Sequence, residues 1–260
     1  MGSRASGPQI GVGLGPRNRI PEAERQAVLD AAAVLQVRRS ETADLVSRGP
    51  VPGVEIVGSG PEDVNRWMLE SSASWRELLS VRPAATATQL RLSLPMNRAK
   101  LEGGLRMTSI FSADGLELDA RLLLANEALG DYRFSVAPVQ MKIVDRAYVL
   151  LQGPVVDGES SVMAVSSGPC LDAAWRYWHA SLDSSFPAIE GVGTLGDLTP
   201  RQRQVVALLM NGVGDEAIAE TLSVSVRTVR ADVAALLAML GVRSRFAAGA
   251  RLQLWSSQES

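Results

Sequence analysis

The sequence predicts two folded units: an α/β domain built on a mixed sheet with flanking helices, followed by an all-α module of four short helices. Residues 21–183 alternate β-type segments with amphipathic helical segments, a pattern typical of an α/β domain. Residues 184–197 contain Pro187 and three glycines, so we predict a linker there. Across 198–256, apolar side chains recur with the 3.6-residue period of helices.

In the first unit, strands are predicted where apolar and polar residues alternate, and helices where apolar residues recur every three or four positions. Leu90, Leu92 and Leu94 alternate with polar residues, which predicts a strand. The predicted order is helix 21–37, a polar loop, strand 54–57, helix 61–79, a strand from 89, helix 98–102, strand 105–111, helix 118–129, strand 132–136, a hairpin of 141–145 and 148–151, strand 161–166 and helix 171–182.

Residues 1–20 are rich in glycine and proline, and we predict that they form a disordered tail. Their Gly-x-Gly-x-Gly pattern is not expected to bind a nucleotide, because no strand precedes it and no apolar helix directly follows it. Trp67 and Trp75 are interpreted as core aromatics, with a ligand cage as the alternative. His179 lies beside the apolar face of its predicted helix and is interpreted as structural.

Composition limits the possible functions. The net charge is −2, but residues 198–255 carry seven arginines against four acidic residues, so a weakly basic module follows an acidic body. A single cysteine, Cys170, excludes an internal disulfide, and a single histidine excludes a histidine-based metal cluster. The sequence contains no apolar run of 18 residues and no secretory signal. We therefore expect a cytoplasmic protein with no cofactor and no membrane partner.

The four C-terminal helices are predicted from their capping residues. Thr199 and Gln202 form a capping-box pattern, Asp215 and Ser225 precede the next two helices, and Ser244 precedes the last. Glycines at 212 and 241 are placed to end helices. The inward faces are predicted to hold Val205, Val206, Leu208 and Leu209, then Ile218, Ala219 and Leu222, then Val229, Val233, Leu236, Leu237 and Leu240, and finally Phe246, Ala247, Ala250, Leu252 and Leu254.

The second and third of these helices, joined by residues 222–225, form a helix-turn-helix pattern, whose second helix enters the major groove of DNA. The outward face of that helix carries Arg227, Thr228, Arg230, Ala231 and Ala234 near its N-terminal end. A helix N-terminus also favours phosphate binding. Exposed arginines on one face of a helical bundle are often only solvated charges, so spacing alone leaves both interpretations open.

Residues 198–255 resemble the LuxR-type helix-turn-helix domain of bacterial transcription regulators. The resemblance rests on Leu198-Thr199-Pro200-Arg201, Ile218-Ala219-Glu220, Leu222-Ser223-Val224-Ser225, Thr228-Val229-Arg230 and Leu240-Gly241-Val242. It implies that the protein forms a homodimer through its last helix and binds two DNA half-sites. By the same resemblance, the base-facing positions are Arg230, Ala231 and Ala234, and the phosphate contacts are Arg227 and Thr228, with Ser225, Arg201 and Arg243 completing the predicted DNA-binding set.

Several residues depart from that family's usual pattern. Arg230 is left as the one evident hydrogen-bonding base reader, since alanine can contact only a thymine methyl group. Asp232 stands where a histidine is common, and we expect its charge to weaken binding if it lies near phosphate. Other departures are Gln202 and Gln204 in place of glutamates, Glu216 in place of a basic residue and Ala217 in place of a glutamate.

The first domain resembles, less closely, a degenerate phospholipase D-like sensor domain over roughly residues 60–180. The resemblance rests on Leu101-Glu102-Gly103-Gly104-Leu105-Arg106 and on the segment from Pro138 to Arg146. Active members use a His-x-Lys-x4-Asp motif. Here Pro138 and Gln140 stand at its histidine and lysine positions, and only Asp145 is retained. Because the chain has one histidine, a two-histidine mechanism cannot be assembled within it, and we predict that the protein is not an enzyme.

The sequence therefore predicts a bacterial transcription regulator that binds an inverted repeat in double-stranded DNA as a dimer. Its first domain would receive a small-molecule or protein effector. Three alternatives remain: a ligand-binding regulator whose DNA module is weak or vestigial, a phosphodiesterase-type enzyme that uses Asp145, and an adaptor that acts on another regulator.

Overall fold

The computed structural model describes residues 20–257. Apart from Ile20, the predicted tail lies outside the described residues. The strands are β1 (Val54–Ser59), β2 (Glu77–Arg82), β3 (Arg106–Ser112), β4 (Asp131–Ser135), β5 (Met141–Val144), β6 (Tyr148–Val156), β7 (Glu159–Val165) and β8 (Phe186–Pro187). The helices are α1 (Glu22–Arg48), α2 (Gly60–Ser71), α3 (Ala87–Glu102), α4 (Leu118–Ala125), α5 (Pro169–Asp183), a 3-10 helix (Glu190–Asp197), α6 (Pro200–Met210), α7 (Asp215–Thr221), α8 (Val226–Met239) and α9 (Arg245–Ser257).

The strands form one mixed sheet in the order β1-β7-β6-β5-β2-β3-β4-β8. Strands β2, β3 and β4 run parallel to one another, and every other neighbouring pair is antiparallel. The helices α3 and α4 connect the parallel strands, since a parallel pair needs a crossover connection. The predicted mixed α/β sheet domain is confirmed, and it is followed by the predicted helical region.

Helices cover both faces of the sheet. Side chains of α1 and α5 bury one face, in a cluster that includes Leu35, Tyr177 and Ile143. Residues of α2, α3 and α4 contribute to the cluster on the other face, which includes Leu90 and Phe111. Tyr177 fixes helix α5 to the segment before strand β5, because its hydroxyl group lies 3.1 Å from both the backbone nitrogen and the carbonyl oxygen of Val139.

The strand predicted from the alternation of leucines is wrong, because residues 87–102 form helix α3. Leu90 and Leu94, four residues apart, are 1% and 4% exposed, whereas Leu92 is 71% exposed. Thr86 and Gln89 form a complete capping box that begins the helix. Three alternating leucines fit a strand locally, but the burial of the i and i+4 pair follows the helical period.

Three other boundaries in this domain also differ from the prediction. Helix α1 continues to Arg48, through residues predicted to form a loop, and helix α4 ends at Ala125 rather than at residue 129. Helix α2 ends at Ser71, so residues 77–79 belong to strand β2 instead of the predicted helix. Trp75 therefore lies in the connection after α2, where it is 8% exposed and its ring centroid lies 6.4 Å from that of Trp67.

The predicted hairpin is confirmed, and its turn explains the one retained motif residue. Asp145 and Arg146 both adopt positive φ angles, of 50° and 59°, in the three-residue connection between β5 and β6. The Asp145 carboxylate accepts hydrogen bonds from the backbone nitrogens of Arg76 and Glu77, each at 2.8 Å. Asp145 thus fastens the β5–β6 turn to the beginning of strand β2, which is a structural role.

The segment for which we predicted a linker, residues 184–197, is folded against both parts of the chain. Phe186 pairs with Phe134 of β4, and the 3-10 helix follows. Val192 and Leu195 are fully buried in a cluster that also contains Leu122 of α4. The same cluster includes residues from the helical region: Leu198, Val206, Ala207, Leu236, Leu240, Ala248 and Leu252.

Candidate nucleic-acid interface

The helix-turn-helix geometry is built by α7, residues 222–225 and α8. Ala219 is buried at 6% exposure where the two helices meet, and its carbonyl oxygen accepts a hydrogen bond from the backbone nitrogen of Val224 at 2.9 Å. Ser223 adopts a positive φ of 53° in the turn. Ser225 then caps α8, because its hydroxyl oxygen accepts from the backbone nitrogen of Thr228 at 3.1 Å.

Most of the predicted caps are confirmed. Thr199 and Gln202 make both hydrogen bonds of the capping box that begins α6, and Ser244 accepts from the backbone nitrogen of Ala247 at the beginning of α9. Gly212 and Gly241 adopt positive φ angles after α6 and α8. The cap predicted at Asp215 is wrong: Gly214 holds the N-cap position, and the Asp215 side chain is bonded to arginines instead.

The outward face of α8 presents to solvent the three predicted base-facing residues and Arg227, a predicted phosphate contact. Arg227, Arg230, Ala231 and Ala234 are exposed and follow the i, i+3, i+4, i+7 spacing of one helical face. Thr228 is half-buried, and its hydroxyl group lies 2.8 Å from the hydroxyl of Ser225. The predicted inward face of α8 is confirmed, with four residues at or below 4% exposure: Val229, Val233, Leu236 and Leu240.

Asp215 holds two arginines beside this face. Its carboxylate accepts hydrogen bonds from Arg245 at 2.7 and 3.0 Å and from the Nε atom of Arg230 at 3.3 Å. The Arg245 hydrogen bonds are the main cause that lowers the pKa of Asp215 below its ordinary value. Because the Arg230 side chain remains 66% exposed, its guanidinium group is oriented through Nε while its outer nitrogens face solvent.

Asp232, which we expected to weaken DNA binding if it lay near phosphate, does not lie on the outward face of α8. Its side chain is 5% exposed and accepts hydrogen bonds from Arg201 at 2.8 and 3.2 Å. The pair joins α6 to α8, so each side chain neutralises the charge of the other. Arg201, which we predicted to contact DNA, is 49% exposed and is already paired when no DNA is bound.

The last helix is rotated relative to the prediction. Phe246, predicted to face inward, is 87% exposed, and Ala250 is also exposed. Leu252 is buried as predicted, and Ala248 rather than Ala250 is buried with it, because the cap at Ser244 fixes where the helix begins and hence which side chains face the core. Arg243 is exposed in the turn between α8 and α9.

Sequence reasoning missed the contact between the helical region and the sheet domain. Arg203 is 6% exposed and donates to the side-chain oxygen of Asn126 at 2.7 Å, to the carbonyl oxygen of Gly196 at 3.2 Å and to that of Leu198. Asn211 donates to the Asp119 carboxylate at 3.0 Å. These bonds connect α6 to α4 and its C-terminal end, while the base-facing residues of α8 remain exposed. No signal in the sequence distinguished Arg203 from a surface arginine.

Residues 20–257 contain no group of three or more histidine, cysteine, aspartate or glutamate side chains that could hold a metal ion. His179 stacks on Trp175, with ring centroids 5.7 Å apart. Within the same residues, no helix is both long enough and apolar enough to span a bilayer.

Comparison with known proteins gives two sequence matches. Residues 197–250 match the family model of bacterial regulatory proteins of the luxR family. The chain is also 34% identical over 128 residues to the bialaphos biosynthetic pathway regulatory protein of Streptomyces hygroscopicus. That alignment covers 46% of this chain and 48% of the relative, so the chain spans about half the length of the curated relative that it matches. The C-terminal helices therefore include the helix-turn-helix domain of luxR-family regulators.

Two solved structures show weaker similarity. One is TrmBL2, an archaeal chromatin protein described as having a novel mode of DNA binding; it is 12% identical, with a TM-score of 0.37, and the match covers 64% of this chain and 67% of that chain. The other is a phosphatidylserine synthase from Haemophilus influenzae Rd KW20; it is 12% identical, with a TM-score of 0.36, and the match covers 53% and 41%. Scores this low do not establish a shared fold, so the phospholipase D-like resemblance stays a prediction.

Proposed function

We propose that this protein is a transcription regulator that binds double-stranded DNA by inserting the outward face of α8 into the major groove. The observation that carries the proposal is the exposure of Arg227, Arg230, Ala231 and Ala234 on one face of a helix that lies within the luxR-family match. Ser225 and Thr228 lie at the N-terminus of that helix, where free backbone N–H groups favour a phosphate.

Arg230 is the residue that we assign to base recognition. A guanidinium group can donate to O6 and N7 of guanine together, and such a pair contributes about 1–3 kcal/mol of discrimination. Asp215 supports this role, because it holds Nε of Arg230 and leaves the outer nitrogens free. Arg227 and Arg243, both exposed, are assigned to phosphate contacts together with Arg201. Such contacts fix the position on DNA without reading its sequence.

We further propose that the protein acts as a homodimer on an inverted repeat, with half-site centres about one helical turn apart. An exposed aromatic side chain on the last helix supports this assignment, since Phe246 is 87% exposed on α9. The proposal also places the protein in the cytoplasm, as a regulator whose sheet domain binds an effector, performs no catalysis and needs no cofactor. In the phospholipase D-like interpretation, that domain is a degenerate relative of an enzyme fold.

A second candidate is a regulator whose DNA module is vestigial. The ion pairs of Arg201 with Asp232 and of Arg230 with Asp215 favour it, because each pair must be weakened, or must share its arginine, for DNA to be contacted. Specific binding by the full chain, lost when Arg230 is replaced, would exclude this candidate.

The test is binding selection from fragmented genomic DNA with the wild-type chain, Arg230→Ala and the control Arg91→Ala, at two salt concentrations. Arg91 is an exposed arginine on α3, so its replacement makes the same charge change away from the interface. We expect the wild type and Arg91→Ala to enrich the same short inverted repeat, and Arg230→Ala to lose it. Affinity should fall steeply with salt as counterions are released. Equal enrichment by Arg230→Ala would show that α8 does not read the bases.

A further inference from the structure

The sheet domain has an open groove of about 420 Å³ beside β1, the strand at one edge of the sheet. The volume lies within the range of small-molecule binding sites. Strands β1, β6 and β7 and helix α2 contribute residues to the lining, together with Gly53 and Ser166 from the ends of neighbouring segments. The groove therefore lies on the sheet face that α2 covers.

The sheet register brings two of the lining side chains to the same face. Ala164 of β7 pairs with Glu55 of β1 on one side and with Leu150 of β6 on the other. Tyr148 lies two residues before Leu150 along β6, so its side chain is on the same face as those of Glu55 and Ala164. Strands β1 and β6 lie about 9–10 Å apart, which is two strand spacings. Between Glu55 and Tyr148 the sheet thus carries only the small side chains of Ala164 and Ser166.

An aromatic cluster forms one side of the groove. Trp67 of α2 and Tyr148 both belong to the lining, and both are half-buried. Each contacts Trp75, since the ring centroids of the two tryptophans lie 6.4 Å apart and the Tyr148 hydroxyl is hydrogen-bonded to the Trp75 side chain. Trp75 itself is 8% exposed. Trp75 therefore belongs to the core, whereas Trp67 and Tyr148 are fixed by it at the edge of the groove.

The charge beside these aromatic rings is negative. Glu55 is exposed, and no arginine, lysine or histidine is among the described residues that line the groove. Within residues 20–257, the carboxylate of Glu55 has no ion-pair partner. The charge of Asp145 acts on the hydroxyl of Tyr148 and adds to the negative potential. An anionic ligand would be repelled here, and a cationic one attracted.

Aromatic rings and a carboxylate together suit one class of ligand. The face of an aromatic ring carries the negative part of its quadrupole, so it attracts a cation placed within about 6 Å of the ring centroid. A methylated ammonium group is matched best, because its methyl groups pack on apolar rings while its charge remains attractive to them. The carboxylate of Glu55 would then neutralise the same charge from the β1 side.

We propose that this groove binds a small organic cation through its methylated ammonium group, which contacts Trp67 and Tyr148 and lies beside the carboxylate of Glu55. The inference rests on the proposed role of the sheet domain as an effector-binding unit, but it does not depend on DNA binding. It gives the effector a chemical class and a place on the domain. Trp75 acts as a positioning residue, because it holds the two groove aromatics without lining the groove.

Calorimetric titration of the full-length chain with choline, without DNA, tests the proposal. The matched ligand is 3,3-dimethyl-1-butanol, which has the same shape but carries a neutral carbon in place of the charged nitrogen. We expect choline to bind saturably at one site per chain, and the alcohol to bind at least tenfold more weakly. If the alcohol binds as tightly as choline, the site recognises shape alone and the proposal is overturned.

Two variants assign the contacts, and each has a matched control. Glu55→Gln and Trp67→Leu should each weaken choline binding about fivefold or more, as loss of an ion pair or of a cation–π contact implies. Glu62→Gln makes the same charge change at an exposed position of α2 outside the groove. Trp175→Leu removes a half-buried tryptophan from the opposite face of the sheet. Both controls should bind choline within twofold of the wild type.

A second measurement keeps the result interpretable if Trp67→Leu does not fold. Saturation of the aromatic protons of the wild-type chain should transfer magnetisation to the N-methyl protons of choline in a nuclear magnetic resonance experiment. The proposal is overturned if choline does not bind saturably, if this transfer is absent, or if Glu62→Gln loses as much affinity as Glu55→Gln. If choline binding fails while the genomic selection succeeds, only this inference is lost.

Discussion

The arginines of the helical region and the lysines of the sheet domain are both drawn partly out of solvent, but their surroundings differ. In the helical region, three arginines donate hydrogen bonds to aspartate, asparagine or backbone oxygens: Arg201, Arg203 and Arg245. Lys142 and Arg82 have no carboxylate partner among the described residues, and burial lowers the pKa of both. A buried cation that has hydrogen-bond acceptors is compensated for its loss of water, whereas one that lacks them lowers the stability of the folded protein.

The largest effect on stability is expected when a buried arginine that has hydrogen-bond acceptors is replaced. Arg203→Met should lower the free energy of unfolding by about 3 kcal/mol, because it leaves Asn126 and two carbonyl oxygens without their buried donor. Urea unfolding followed by circular dichroism would measure the change. Arg91→Met, an exposed arginine with the same substitution, should change stability by less than about 0.5 kcal/mol. If both variants behave alike, the contact between α4 and α6 contributes nothing to stability.

Replacing the buried lysine of the sheet domain with methionine should have the opposite effect on the free energy of unfolding. Lys142→Met should raise the free energy of unfolding by about 1–2 kcal/mol at pH 7, a value discounted because the side chain is half-buried. The folded-state pKa of Lys142, about 8, lies below its ordinary value, so the folded state releases this proton before the unfolded state does. The wild-type penalty is therefore complete below pH 8 and disappears between pH 8 and about 10.5.

Urea titrations of the wild type and Lys142→Met at pH 7 and pH 10 would measure that difference. The advantage of the variant should be present at pH 7 and largely absent at pH 10. If Lys142→Met is less stable than the wild type at pH 7, the buried charge of Lys142 does not destabilise the folded protein.

The smallest effect is expected when the carboxylate that orients Arg230 is replaced. Asp215→Asn should lower the ratio of specific to non-specific DNA affinity about fivefold, because Arg230 loses the acceptor that holds its Nε atom. Non-specific affinity should rise slightly, since a negative charge near the phosphates is removed. Competition binding between the selected repeat and random DNA would measure the ratio. An unchanged ratio would show that Arg230 needs no support from Asp215. Glu216→Gln, with the same charge change at an exposed neighbour, is the control.

The sequence alone was most informative where the structure depends on short-range interactions. The caps at Thr199, Ser225 and Ser244, the helix ends at Gly212 and Gly241 and the turn at Asp145 were predictable, because each depends on hydrogen bonds or φ angles within a few residues. The inward face of α8 was predictable for the same reason. The exposed set at Arg227, Arg230, Ala231 and Ala234 followed from helical spacing once the helix-turn-helix pattern was identified.

Tertiary structure decided whatever depends on partners that are distant in the chain. Asp232 could be assigned to the interior only when Arg201, 31 residues away, was placed beside it. Leu90 and Leu94 became helical because the sheet buried one side of α3, and Phe246 became exposed because Ala248 and Leu252 filled the core. Lys142 lies near the charges of Arg82 and Lys100, on three elements that are distant in the chain. Burial and Coulomb energy depend on distance in space, and only the folded chain determines which charges share a desolvated site.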